Sequence, residues 1–161
     1  MITYQEGKAI AEKHLHTAVN DIVIMEEYVI DLPYAWIFPH NHKVAIAGDI
    51  QYAVIGSAPI FVDKKDGRIS EFPSAYDVPE TIDLYEENNR SWRLTIDKDV
   101  YNDLKKMQSL RQVLGLSITQ LTAFKNDQTT IIDNGATTRL NVLLTILKQH
   151  NISGEISLNA L

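Results

Sequence analysis

SAPIFVDKKDGRISEF, residues 57–72, runs from an apolar segment through a charged turn into a segment of mixed polarity. Such a stretch can be an ion loop, a phosphate loop or a hairpin. An EF-hand loop needs oxygen ligands at its third and fifth positions, glycine at the sixth and glutamate at the twelfth. Counted from Asp63, those ligand positions hold Lys65, Gly67 and Ser74. A phosphate loop needs Gly-Lys-Ser/Thr opening a helix, but Gly67 is followed by Arg68, Ile69 and Phe72. The hairpin remains. Pro59, with no N–H, suits a strand start. Ile60, Phe61 and Val62 form a short buried run, and Asp66-Gly67 supplies residues that tolerate positive φ. The spacing predicts a structural turn that binds neither ion nor phosphate.

Upstream, Tyr34, Trp36 and Phe38 alternate with Ala35 and Ile37. Both faces are then apolar, as in a central strand covered on both sides. Residues 22–30 read as a strand broken at Glu26-Glu27. The runs VAIAG and YAVIG flank a turn at Gly48-Asp49. Thr3 and Glu6 form a capping box, and Gly7, Ile10, Ala11, His14, Leu15 and Ala18 share one helical face. Downstream, Asp77 and Glu80 cap a helix of about 78–88, with Pro79 in its first turn.

The second half has its own rhythm. Trp92, Leu94 and Ile96 alternate as in a half-buried strand. Val100, Leu104, Met107, Leu110 and Leu114 keep helical spacing up to Gly115. Ser117 and Gln120 open a second short helix carrying Leu121 and Phe124. A strand at 129–132, a turn at Asn134-Gly135, a helix through Leu140, Leu143, Leu144 and Leu147, and a closing strand GEISL complete the order. The expected fold class is α+β. An N-terminal helix with an antiparallel sheet and a second helix (1–88) precedes a small unit of three strands and three helices (91–161).

The chain has 161 residues, 45% of them apolar, and no cysteine. It can bury a real core, and it has no thiolate chemistry or disulfides. No apolar run reaches membrane-spanning length, and the N-terminus lacks a secretory pattern. A cytoplasmic protein is expected. The net charge of −6 is uneven. Residues 1–88 hold 15 acidic and 6 basic side chains, and residues 89–161 hold 6 and 9. An acidic first half repels nucleic acid and suits a basic protein partner.

The segment Tyr34–Glu87 resembles the immunity protein 35 domain. The resemblance is carried by the aromatic strand YAWIF, by GSAPIFVD at 56–63, by the KDG turn, and by the helix VPETIDLY. With the first helix it covers residues 1–88. It implies a small bacterial protein that neutralises a polymorphic toxin, with a chaperone-like role suggested for relatives. Residues 91–158 more faintly resemble the C-terminal domain of the bacterial ribosomal stalk protein, in element order and in VLGLSITQL. That family places lysines around its Gly-Leu turn to bind translation factors. Residues 112–124 here contain no Lys or Arg, so the shape is implied without that surface.

No catalytic set is evident. His40-x-His42 lacks a third metal ligand at compatible spacing, and Ser57 lacks a nucleophile elbow. Glu26-Glu27 and Glu86-Glu87 are adjacent pairs that point apart on regular elements. No cofactor and no metal is expected. The acidic residues Asp77, Glu80, Asp83, Glu86 and Glu87 crowd one helix. They form either a solvated face or a surface for a basic toxin cleft. Asp77, Glu80, Asp83 and Glu87 are the expected steering charges, with Tyr34 or Tyr76 as an aromatic anchor. The expected protein is a non-enzymatic immunity protein that occludes a toxin's active site. A chaperone-like or scaffold protein, and a hydrolase with an unrecognised site, are the alternatives.

Overall fold

The computed structural model describes residues 1–18, 21–49, 51, 53 and 57–159. The chain is α+β, with its sheets antiparallel throughout. It divides into two compact units, between Thr81 and Ile82.

In the first unit, α1 (Tyr4–Ala18) is followed by β1 (Ile22–Ile24), a 3-10 turn at Glu26–Tyr28, and β2 (Ile30–Asp31). The charged break at Glu26-Glu27 is therefore a tight turn between two short strands. Next come β3 (Ala35–Phe38), β4 (His40–His42), a single-turn helix α2 (Lys43–Ile46), β5 (Ile60–Asp63) and β6 (Ile69–Ser70). The VAIAG run enters α2 because His42 caps it, its Nδ1 accepting from Val44 N–H at 3.4 Å. Of the apolar run 52–56, only Ala53 lies among the described residues.

A four-stranded sheet has the order β2-β3-β5-β6, and β1 pairs with β4. Register sets Trp36 against Val62, Ile37 against Phe61, and Phe38 against Ile60. Successive side chains leave opposite faces of a strand. Trp36, Phe38, Ile60 and Val62 meet Ala11 and Leu15 of α1 in one core. On the other face Phe72 covers Phe61 edge-on, with ring centroids 5.2 Å apart. All of β3 and β5 is buried, as a central, doubly covered strand requires.

The turn between β5 and β6 is a hairpin held by its own residues. Asp63 N–H donates to Arg68 O and Gly67 N–H to Asp63 O, both at 2.9 Å. Asp63 and Asp66 carboxylates accept from the Lys65 and Arg68 amides. Gly67 has φ 75°, and a Cβ there would sit 2.6 Å from Ile10 Cδ1.

Helix α3 (Val78–Asn89) spans the dividing point. The boundary expected at 88–91 thus moves into the helix, because the carboxylates of its second half bind groups of the second unit. The charge balance moves with it. Residues 1–81 carry 12 acidic and 6 basic side chains, and residues 82–161 carry 9 of each. The acidic surplus belongs wholly to the first unit.

In the second unit, β7 (Trp92–Ile96) leads through a 3-10 turn at Lys98–Asn102 to α4 (Leu104–Leu114) and α5 (Ile118–Asp127). Then follow β8 (Ile131–Gly135), α6 (Thr137–Gln149) and β9 (Gly154–Leu158). Val100 lies in the 3-10 turn, not in α4, because Asp103 caps the helix by accepting from Lys105 and Lys106 N–H. The sheet order is β8-β7-β9. α6 packs on all three strands, α4 on α6, and α5 on α4. Leu94, Ile96, Val100, Tyr101, Leu110, Leu140, Leu144, Leu147 and Ile152 form the buried core. Asn134-Gly135 is not a turn. It continues β8 opposite Arg93 and Trp92. Gly135 is needed for close approach: with φ 153°, its Cβ would lie 2.2 Å from Glu87 Oε2. No helix among the described residues is long and apolar enough to cross a membrane.

Candidate partner-binding surface

The carboxylates of α3 divide into two groups. At its start, Glu80 N–H donates to Asp77 Oδ1 at 2.8 Å and Asp77 N–H to Glu80 Oε2 at 3.1 Å. This capping box leaves both charges at the surface, and residues 73–80 are exposed without interruption. At its end, Glu86 is buried at 3% exposure. Its Oε1 accepts from Trp92 Nε1–H at 2.7 Å, and its Oε2 accepts from the Thr137 amide at 2.7 Å and hydroxyl at 2.9 Å. Glu87 accepts from Ala136 N–H at 2.9 Å and from Arg139 Nε–H at 3.1 Å. Asp83 accepts from the Thr138 hydroxyl at 2.8 Å.

The second group exists because of α6. Its N-cap is Ala136, which has no side-chain acceptor for the free amides of the first turn. Glu86 and Glu87 supply the missing acceptors, and their negative charge is favoured at a helix N-terminus. The Ala136 amide, followed by Arg139, holds the Glu87 carboxyl below the usual glutamate range. Arg139 is in turn fixed by Asp133 and by Asn134 O. Asp83 and Glu87 are therefore structural partners within the second unit rather than freely presented steering charges. An alanine N-cap before a Thr-Thr-Arg turn is the sequence signal that acceptors must come from elsewhere.

The aromatic candidates also separate. Tyr34 is 2% exposed and its carbonyl accepts from Lys64 N–H at 2.8 Å. It is core, because it extends the doubly covered strand β3, and it is not an anchor for a partner. Tyr76 is 45% exposed, directly before Asp77.

Beside this exposed segment is a cleft of about 260 Å³ in the first unit. Met25, Ile30, Ile37, Pro39, His40 and Val78 form its wall, with Asn41, Ser57 and Pro59. Val78 belongs to the exposed segment, so cleft and segment share an edge. His40 Nδ1 is buried with no hydrogen-bond partner among the described residues. Burial lowers the pKa of His40 from its ordinary value, against a smaller opposing effect of the Phe38 carbonyl. Burial thus disfavours the charged imidazolium. Ser57 Oγ–H donates to His40 O at 3.4 Å, which occupies this serine in holding the chain. His40 and His42 do lie on one strand, but His42 caps α2, and the described residues contain no three-ligand grouping suited to a metal. His14 pairs with Glu71 at 3.0 Å.

No protein-family model, curated protein or solved structure matches the chain.

Proposed function

We propose that the protein is a non-enzymatic bacterial immunity protein, acting in the cytoplasm, that binds a toxin and occludes its active site. The observation that carries the reading is the exposed segment 73–80. It exposes Tyr76, Asp77 and Glu80 around Val78, which lines a mixed apolar cleft. A projecting tyrosine beside an apolar recess is a common anchor arrangement at protein interfaces. The two carboxylates would steer a basic surface toward it. The acidic surplus of the first unit supports the same partner chemistry, as does the resemblance of its strand–hairpin–helix sequence to immunity protein 35 domains.

The test is co-expression with the toxin domain encoded beside its gene, followed by binding kinetics. Asp77→Asn with Glu80→Gln removes both charges yet keeps residues able to form the capping box. Association should slow several-fold at low salt, with the fold intact. Tyr76→Ala should instead speed dissociation, by about tenfold or more. Failure of the wild type to bind or protect against that toxin would defeat the proposal.

A further inference from the structure

The three-stranded sheet of the second unit has two edges, and they are finished differently. β8 and β9 both flank β7. At β8, the backbone groups of Asn134 are occupied: its N–H donates to Asp133 Oδ1 at 2.8 Å, and its carbonyl accepts from Arg139 Nη2 at 2.7 Å. The register also shifts between Leu94 and Thr95. A bulge and a covering charged side chain are the usual devices that stop a strand edge from pairing.

β9 has none of these. Its ladder to β7 is bracketed by Asp97 N–H to Ser153 O at 3.2 Å and Asn159 N–H to Ser91 O at 2.8 Å. Antiparallel ladders alternate, so residues 155 and 157 also turn their backbone groups toward β7. Gly154, Ile156 and Leu158 turn theirs to the outer edge. Among the described residues, no backbone or side-chain hydrogen bond reaches those groups. The strand GEISL has no proline or lysine.

We propose that β9 pairs antiparallel with β9 of a second copy of this chain, about a twofold axis through Ile156. In that register Ile156 N–H and C=O bond to Ile156 of the partner subunit. Gly154 bonds to Leu158 of the partner subunit, so every free edge group of the strand is satisfied. The side chains fit equally well. Glu155, the single charge of the strand, lies opposite Ser157 of the partner subunit, and the smallest residue, Gly154, lies opposite the leucine. No like charges oppose, which is the condition for stable cross-strand pairs. Ile156 packs on the core but remains half-exposed; Leu158 is half-exposed too, and both would be covered further across the axis. An isologous pairing of this kind closes on itself and leaves β8, the protected strand, at each outer edge.

Sedimentation velocity over a dilution series up to about 100 μM should show a reversible monomer–dimer equilibrium. Over the same series, amide exchange at Gly154, Ile156 and Leu158 should slow as concentration rises. Ser157→Glu places a carboxylate opposite Glu155 twice, by symmetry, and should weaken the dimer by about tenfold. Adding Glu155→Lys to that variant should restore it, since each new lysine then faces a new glutamate. A wild type that stays monomeric at about 100 μM overturns the proposal and leaves the edge to a strand of another protein. A dimer unaffected by Ser157→Glu, or one not rescued by the second change, overturns it as well.

Discussion

The two ends of α3 carry the same kind of side chain and use it in different ways. Asp77 and Glu80 close a capping box with each other, three residues apart, and keep their charge in water. Glu86 and Glu87 reach residues 51 and 49 positions away and close the first turn of another helix. The difference lies in what arrives opposite. A carboxylate facing water remains available to a partner. A carboxylate facing unsatisfied amides is held there by them, because leaving those amides bare would cost more than the loss of hydration.

This comparison breaks most sharply at Glu86. Glu86→Ala should destabilise the second unit by about 3 kcal/mol, since it strands the Trp92 indole N–H and the Thr137 amide. Urea unfolding followed through Trp92 fluorescence measures it, and a loss below about 1 kcal/mol would refute the capping role. The local counterpart is smaller. Gly67→Ala should cost about 2 kcal/mol, from positive φ and the approach to Ile10, and added calcium should restore none of it. Smaller again is Asp77→Ala, at about 1 kcal/mol for a lost N-cap, seen as a modest drop in thermal midpoint. An equal loss at Asp77 and Glu86 would erase the distinction between the two ends.

Acid titration sharpens the same contrast. His40 has a folded pKa below its ordinary value of 6.5. The unfolded chain therefore binds the extra proton first, and stability of the first unit falls as pH drops below about 6.5. Glu87 is also depressed, from 4.5, but it is ionised when folded. Its contribution is present above about pH 4.5 and is lost only as pH falls through the lower folded value. The indole resonances of Trp36 and Trp92 report one unit each. The urea midpoint followed at Trp36 should begin to fall at higher pH than that followed at Trp92, and His40→Phe should remove that early fall.

Much of the fold was legible because its signals are short-ranged. Asp66-Gly67, the Ser117–Gln120 box and the alternation from Tyr34 to Phe38 each act within a few residues. They appear where residue type predicts them. Asn134-Gly135 misled for the same reason. The pair is a good local turn, yet Gly135 is there to let Glu87 and Arg139 approach. The site was less legible. Tyr34 and Tyr76 look alike in sequence, and only packing buries one and exposes the other.

The sequence by itself determined the α+β class, the hairpin at 57–72, the N-terminal caps of α1, α3 and α5, and the opposed apolar faces of the central strand. These depend on backbone preference and on hydrogen bonds that close within a turn or two. The tertiary structure decided which carboxylates of α3 stay at the surface, which tyrosine reaches it, and that His40 Nδ1 is shut away with no partner among the described residues. Each of those outcomes depends on a group brought from far along the chain, and residue type and spacing do not encode which group that is.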